Sequence, residues 1–511
     1  MSIPSAVAAS TLTPGIYITV DLLAGTASPG TGTLAVALIA TQSSGGDLTD
    51  DTEVRAIGGE ADAATAFGSG TIGHLAAKQI YNKYGEAQID VISPTAGAGT
   101  ATLNITSAGA PTSNQVADVE FAGRTGEVAW LVGESADDFR DKLIDWVVER
   151  TTDLPCTASS GGAGITQVDS KVTGNVGNDI QVKAKLRYSQ TGTETLTGAL
   201  VNTPLAGGTT DPDLTTALTY LQGKEYHYIV PCLSNTDVAN VGATNNAKRV
   251  YTHIYNLNTG KDAKLQQSII GYSGSLATAQ ASTQNANSFN NAEFSECIEG
   301  LSFLSLPGEI AGRECGGRLA GVVLDPAVNR IGEYMDGLYG AEDKIADKPT
   351  QAESEAALGD GVSLLSYDAQ DRPVLVRAIT THSKDASGGA DRRLLDVQNV
   401  DAAYIIARDL RTNLPIEFAN AKIQEDSEAG DDLPPAGVIE ERDIKAYIIQ
   451  RLRFWQNQGV VLRQSLDDAI ANGTLIVQVN ATDPTQVDMV VPFEIIQPLA
   501  KMGLVAQRVP S

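Results

Sequence analysis

Tyr226-His227-Tyr228-Ile229-Val230-Pro231 and Gln267-Ser268-Ile269-Ile270-Gly271-Tyr272 are short, apolar, β-rich runs on either side of a stretch that reads as a helix over 237–257. Strand, helix and strand in that order imply parallel pairing through a crossover, because a two-residue hairpin cannot join parallel strands. The rhythm continues on both sides. Upstream come a buried-strand candidate, Leu34-Ala35-Val36-Ala37-Leu38-Ile39-Ala40, a helix over 72–84 and the strand Ile89-Asp90-Val91-Ile92, with a helix over 214–221 closer by. Downstream come a helix over 275–284, further strand over 296–306 and a helix over 313–323 whose glycines lower its propensity. The expected class is α/β in the mixed α+β sense, with helices layered on a sheet.

Composition shifts at Ser93. From 93 to 208 the chain is rich in Gly, Thr, Ser and Ala, with short strands over 101–106, 115–121, 180–188 and 194–200. One helix stands out there: Ser135 and Asp138 have capping-box spacing, and Phe139, Leu143, Trp146 and Val147 follow on one face. This stretch reads as an inserted β-rich surface domain. Beyond it, Thr350 and Glu353 open another capped helix. Residues 362–367 and 373–380 form a hairpin-like pair around Asp368–Asp371, and a long helix covers 396–410. After an acidic loop over 424–435 comes an amphipathic helix over 438–456. Its apolar stripe is Ile444, Tyr447, Ile448, Leu452 and Trp455, with Arg442, Lys445, Arg451 and Arg453 off that stripe.

The two ends differ from the rest. Pro14-Gly15-Ile16-Tyr17-Ile18-Thr19-Val20, running on to Leu22 and Leu23, alternates like a strand, but Gly/Ser/Thr-rich coil follows where a hairpin partner would turn back. Residues 487–496 and 502–509 are strand-like too. An unpaired apolar strand is an aggregation hazard, and another copy of the chain is the simplest partner. A polymer subunit is therefore the first expectation.

The totals narrow the class. The 511 residues suffice for several domains, and 36 Lys and Arg against 62 Asp and Glu leave a net charge of −26. That balance disfavours nucleic acid and anionic membranes. No apolar run is long enough to span a bilayer, and the N-terminus lacks the positive start of a signal peptide, so folding in a cytoplasm is expected.

Four separated cysteines (Cys156, Cys232, Cys297, Cys315) and four scattered histidines give no disulfide or metal spacing. The glycine doublets lack the strand–loop–helix context of a phosphate cradle. Asp360, Asp368, Asp371 and Asp385 read as turn residues rather than a metal or acid/base set. Cys315, with Arg313 and Arg318 nearby, lacks a general base close in sequence. Glu425, Asp426, Glu428, Asp431 and Asp432 lack the order of a calcium loop. No enzyme, cofactor or metal site is expected. The cations of the 438–456 helix are either a solvent face with pairs such as Glu441–Lys445 or a docking edge for an acidic surface.

Several of these stretches, in this order, resemble contractile tail sheath proteins of the Mu-like family. Pro14-Gly15-Ile16-Tyr17-Ile18 is similar to their "PGVY" start, and Gly174-Asn175-Val176-Gly177-Asn178-Asp179-Ile180 to the "GNDI" stretch of their inserted domain. Arg377-Ala378-Ile379-Thr380-Thr381 resembles the hairpin ending "R-x-ITT". Leu394-Leu395-Asp396-Val397, with Tyr404 and Asp409-Leu410-Arg411, resembles their long helix.

The resemblance implies a subunit with an N-terminal arm (1–32), an αβ core (33–92 with 209–380) and an inserted outer domain (93–208). A C-terminal domain facing a tube (381–498) and a C-terminal arm (499–511) complete it. It implies stacked hexameric rings around an inner tail tube, with baseplate and tail terminator proteins as further partners and no nucleic acid or membrane insertion. Contraction from a metastable extended state would drive the tube through an envelope. The strand-donating arm residues would be Ile16, Tyr17, Ile18, Val20 and Leu22 at one end and Leu499, Met502, Leu504, Val505 and Val509 at the other. The acceptor would be the sheet holding 475–479 and 487–495, and Arg442, Lys445, Arg451 and Arg453 would face the tube. A tail-surface adhesin, with the Gly/Thr-rich insert as binding module, is the alternative.

Overall fold

The structure is a computed structural model that describes residues 34–497, apart from 241, 243–244, 259–263, 287, 290, 386, 427–434 and 436. The first segment carries β1 (Ala35–Ile39), β2 (Arg55–Ile57), α1 (Glu60–Phe67), α2 (Ile72–Lys83) and β3 (Gln88–Ile92). The insert follows with β4 (Thr100–Ala108), β5 (Gln115–Phe121), β6 (Arg124–Trp130), α3 (Ala136–Val148), β7 (Cys156–Gly162), β8 (Ile165–Thr173), β9 (Gln181–Leu186), β10 (Thr195–Thr197) and β11 (Thr203–Pro204). The chain then returns through α4 (Thr215–Leu221), β12 (Tyr228–Pro231), α5 (Asn235–Ala239), α6 (Asn246–Leu257), β13 (Gln267–Tyr272), α7 (Leu276–Thr283) and β14 (Ser295–Glu299). Next come α8 (Pro307–Leu324), α9 (Gln351–Gly359), β15 (Val362–Tyr367) and β16 (Pro373–Arg377). A C-terminal lobe holds α10 (Val397–Glu417), β17 (Lys422–Gln424), β18 (Val438–Glu440), α11 (Glu441–Asn457), α12 (Arg463–Ala471), β19 (Ile476–Val479) and β20 (Val487–Val490).

Eight strands form the main sheet, in the order β16-β15-β14-β13-β12-β1-β3-β2. The six inner strands are parallel, and β16 and β2 close the two edges antiparallel. A parallel sheet must be covered on both faces, which is why β1 is buried at every position. Val36 and Leu38 enter one apolar cluster with α2 and α8. Ala35, Ala37 and Ile39 enter another with α4, α6 and α7.

α8 begins at Pro307, earlier than the helix read over 313–323. Its glycines are what the packing needs. Gly308, Gly312 and Gly316 recur every four residues and lie against Ile72, Ala76 and Ile80 of α2. A Cβ at Gly316 would sit 2.9 Å from the Ile80 carbonyl oxygen. Propensity is overridden here by backbone-to-backbone approach.

Other sequence expectations change in detail. The helix read over 237–257 is two helices, α5 and α6, the second capped by Asn245, whose side chain accepts from Lys248 N. The strand read over 296–306 stops at Glu299, and Ser302 turns the chain with a φ of 54°. β6, β7, β8, α1 and α12 were not expected. β7 reads Cys-Thr-Ala-Ser-Ser-Gly-Gly and is largely exposed, so it carries no apolar alternation to find.

The insert folds into two antiparallel four-stranded sheets, β10-β4-β8-β7 and β11-β9-β5-β6. Trp130 stacks on Phe139 of α3 at 4.7 Å, and Phe121 packs on Trp146 at 5.3 Å. The expected capping box is present, with Ser135 accepting from Asp138 N. The C-terminal lobe has its own apolar cluster, built from α10, α11, α12 and the β19–β20 hairpin.

Candidate assembly surfaces

The lobe's hairpin is the first surface. β19 and β20 pair antiparallel, Ile476 with Val490 through Val479 with Val487. Asn480 N donates to Gln486 O at 2.8 Å, which sets the alternation: Gln478–Asp488 is a hydrogen-bonded pair. The main-chain groups of Val477, Val479, Val487 and Met489 therefore point away from the ladder. On the β19 side Glu441 of α11 accepts from Val479 N at 2.5 Å. On the β20 side no strand pairs with this edge among the described residues. Among the described residues β20 is thus an open edge, half-buried along its length. The donor-arm residues Ile16, Tyr17, Ile18, Val20, Leu22, Leu499, Met502, Leu504, Val505 and Val509 lie outside the described residues.

α11 buries Ile444, Ile448, Leu452 and Trp455. Its cations do not form one uniform row. Arg451 binds Asp409 of α10, with Nε to Oδ2 at 2.9 Å, and that buried carboxylate also accepts from Trp455 Nε1 at 3.0 Å and Asn413 Nδ2 at 2.6 Å. Arg453 pairs with Asp467 of α12. Arg442 pairs with Glu440, and its backbone N–H donates to Asp426 at 2.8 Å. Lys445 takes no part in the ion pairs among the described residues, and its expected partner Glu441 holds the hairpin instead.

The joint between insert and core falls on the Gly174–Ile180 stretch. Gly174 has a φ of 99° and packs against Gly97 and Thr210. Asn178 binds Gly208 in both directions, at 3.0 Å each, and Asn175 Nδ2 donates to Asp211 at 2.8 Å. Asp179 accepts from Asn235 N at 2.9 Å, and burial pushes its carboxyl up to about 7. A buried ion pair adds a second clamp: Arg124 of β6 meets Glu309 at the start of α8, with Nη1 to Oε2 at 3.2 Å.

A buried ionic network that the sequence reading missed ties α8 to the sheet and to α10. Arg318 donates to Asp401 (2.7 Å), Glu296 (3.1 Å) and Gln267 (2.8 Å), and lies over the Tyr228 ring at 4.6 Å. Burial pushes the Glu296 carboxyl well above the usual carboxylate range, nearby Glu314 adds to this, and Arg318 opposes it. Glu299, also fully buried, has neither oxygen hydrogen-bonded, and burial raises it to about 8.

The catalytic and metal candidates do not assemble. Cys315 is fully buried and its thiol is pushed up by burial, while Arg313 is held by Asp336 at 2.6 Å. Asp368 accepts from Gln370 N and Arg372 N, Asp385 from Ser387 N and Gly389 N, and Asp360 from Gln280 at 3.0 Å, each in its own turn or cap. Among the described residues no group of three His, Cys, Asp or Glu could hold a metal ion. No helix among them is long and apolar enough to cross a membrane. Of the acidic loop, Glu428, Asp431 and Asp432 lie outside the described residues.

A parallel-sheet core, a two-sheet insert and a lobe with its own hairpin make a chain of mixed helices and several sheets. It is similar to the Mu-like prophage FluMu tail sheath protein of Haemophilus influenzae, 23% identical over 484 residues and covering 93% of each chain. No family model matches it. Among solved structures, a sheath tail protein from Desulfitobacterium hafniense aligns at 12% identity and a TM-score of 0.45, over 95% of this chain and 100% of that one. The PVC sheath complex of an extracellular contractile injection system, in its contracted state, aligns at 10% identity and a TM-score of 0.47, over 97% and 98%.

Proposed function

We propose that this chain is the structural subunit of a contractile tail sheath, polymerising as stacked hexameric rings around a tail tube and contracting to drive that tube through a cell envelope. The observation that carries the reading is the similarity to a tail sheath protein over 93% of both chains. The open β20 edge gives it a physical means. A strand from another copy, from 16–22 or from 499–509, can add to that edge, and main-chain ladders hold while subunits rotate. The subunit's partners are then further copies of itself, the tube, the baseplate and the tail terminator. Lys445, which joins no ion pair among the described residues, and Arg442, whose side chain is 50% exposed, are the tube-facing candidates. Arg451 and Arg453 are bound within the lobe and support α11 from behind.

Negative-stain electron microscopy of the purified full chain tests the reading. Hollow tubes with six-fold end views are expected. Small discrete particles at every concentration would overturn it. A chain ending at residue 498 is expected to give no long tubes.

A further inference from the structure

A cleft of about 630 Å³ lies between the αβ core and the C-terminal lobe, walled by the end of α8, by α10 and by α11. Its rim is apolar and uncovered: Leu324 is 86% exposed, Val323 47% and Phe454 43%. The arginines of the cleft are bound within it, Arg408 and Arg411 by Glu225 and Arg451 by Asp409. Asp325, next to Leu324, joins no ion pair among the described residues, and its Oδ1 accepts from Ala327 N at 3.0 Å. The cleft thus offers apolar surface beside one uncommitted carboxylate, which suits an apolar side chain with a cation next to it.

One turn of the core has that chemistry. Ile345 is 87% exposed, as bare as Leu324, and its neighbour Lys344 joins no ion pair among the described residues. The turn is held in shape. Asp343 Oδ1 accepts from Ile345 N at 3.1 Å and from Ala346 N at 2.9 Å, and Lys348 Nζ donates to Tyr367 O at 2.9 Å. A knob fixed in this way loses little freedom on docking. Cleft and knob lie at opposite ends of the parallel sheet. α8 starts against Gly271, near the end of β13, and Arg318 farther along donates to Gln267, the first residue of β13, so Leu324 lies beyond where the strands begin. Glu225 and His227, which line the cleft, precede β12. The knob is tied to Tyr367, the last residue of β15, at the other end. α8, with 18 residues and a length of roughly 27 Å, lies between the two. One copy therefore cannot put its own knob into its own cleft.

We propose that the turn carrying Lys344 and Ile345 seats in the cleft of a second copy of the chain, where Ile345 covers Val323, Leu324 and Phe454 and Lys344 pairs with Asp325. A contact between two different surfaces at opposite poles repeats head to tail, and it closes into a ring or continues as a helix. The proposal deepens the sheath reading and rests on it for the presence of neighbouring copies. It is separate from strand addition at β20, which uses other residues.

The test puts Val323→Cys and Ala346→Cys into one full chain; both positions are exposed, and the four native cysteines are buried. A short bismaleimide cannot bridge the length of α8, so any link between 323 and 346 joins two copies. Treated at a concentration that gives tubes, or otherwise at the highest soluble one, the protein is expected to run as a ladder of multimers on a denaturing gel, with linked 323 and 346 peptides by mass spectrometry. Ile345→Asp in that background is expected to cut the yield at least fivefold, because a carboxylate resists transfer to an apolar wall. Lys344→Asp is expected to cut it too, and Asp325→Lys added to that variant to restore it. Monomers alone, links only between like positions, or a ladder indifferent to Ile345→Asp and to the charge exchange overturn the contact. Electron microscopy of the same samples separates the two readings. Tubes without links between 323 and 346 sink the contact and leave the sheath, whereas the ladder without tubes keeps the contact and counts against hexameric tubes.

Discussion

At the scale of single residues, the contrast between two helical glycines shows what the packing requires. A Cβ at Gly312 would collide with the Ala76 carbonyl oxygen of α2, and neither backbone can yield without separating α8 from α2. Gly312→Ala is expected to lose about 1–3 kcal/mol in urea unfolding, the usual cost of overpacking. Gly359, at the end of α9, faces open space, and Gly359→Ala is expected to gain about 0.4–1 kcal/mol by restricting the unfolded chain. Equal effects at the two sites would refute the account of α8.

Glu299 supplies a pH dependence. Its raised carboxyl means that the folded chain holds a proton the unfolded chain gives up between about pH 4.5 and about pH 8. Its contribution to stability is therefore complete below that window and is lost as pH rises through it. Glu299→Gln, which cannot ionise, is expected to match the parent near pH 5 and to exceed it near pH 8.5 in denaturation midpoint. Parallel profiles for the two proteins would remove the buried acid from the explanation. None of this was legible beforehand. Both effects depend on what lies across a helix or strand from the residue, which a single chain of letters does not record.

Among elements, legibility followed periodicity. α3, α9 and α11 announced themselves by caps and apolar stripes, and β12 and β13 by β-branched runs. α8 was cut short in the reading because its glycines, unfavourable in isolation, are selected by contact with α2. The basic edge of α11 was half legible. The sequence could show four cations off the stripe, but not that Asp409, deep in α10, would claim Arg451.

Two substitutions separate these roles. Arg451→Gln leaves the Asp409 carboxylate buried with Trp455 and Asn413 alone. It is expected to destabilise the lobe by about 1–3 kcal/mol, read as faster hydrogen exchange in α10 and α11. Lys445→Gln is expected to leave exchange unchanged within about 0.5 kcal/mol. If Lys445→Gln loosens the lobe as much, α11 has no free cation left to offer a partner.

For the whole molecule, the proposed polymer needs a surface on which one copy grips the next. The αβ rhythm and the unpaired ends were enough to expect a polymer, but the acceptor edge could be chosen only after the hairpin register was known. Val479 N–H, on the β19 side, is already bound by Glu441, whereas the Val487 and Met489 N–H groups on β20 point outward. Met489→Pro removes one of those donors without touching the Gln478–Asp488 bonds, because proline is tolerated where its missing N–H faces away from the ladder. If a strand from another copy adds to β20, this variant is expected to remain folded, with the circular dichroism and denaturation midpoint of the parent chain, yet to form no tubes under the microscope. Gln478→Pro, which breaks the hairpin itself, is expected to lose both folding of the lobe and assembly. A Met489→Pro chain that still forms tubes would place the grip on another surface, because strand addition at β20 cannot proceed once its outward main-chain donor is gone.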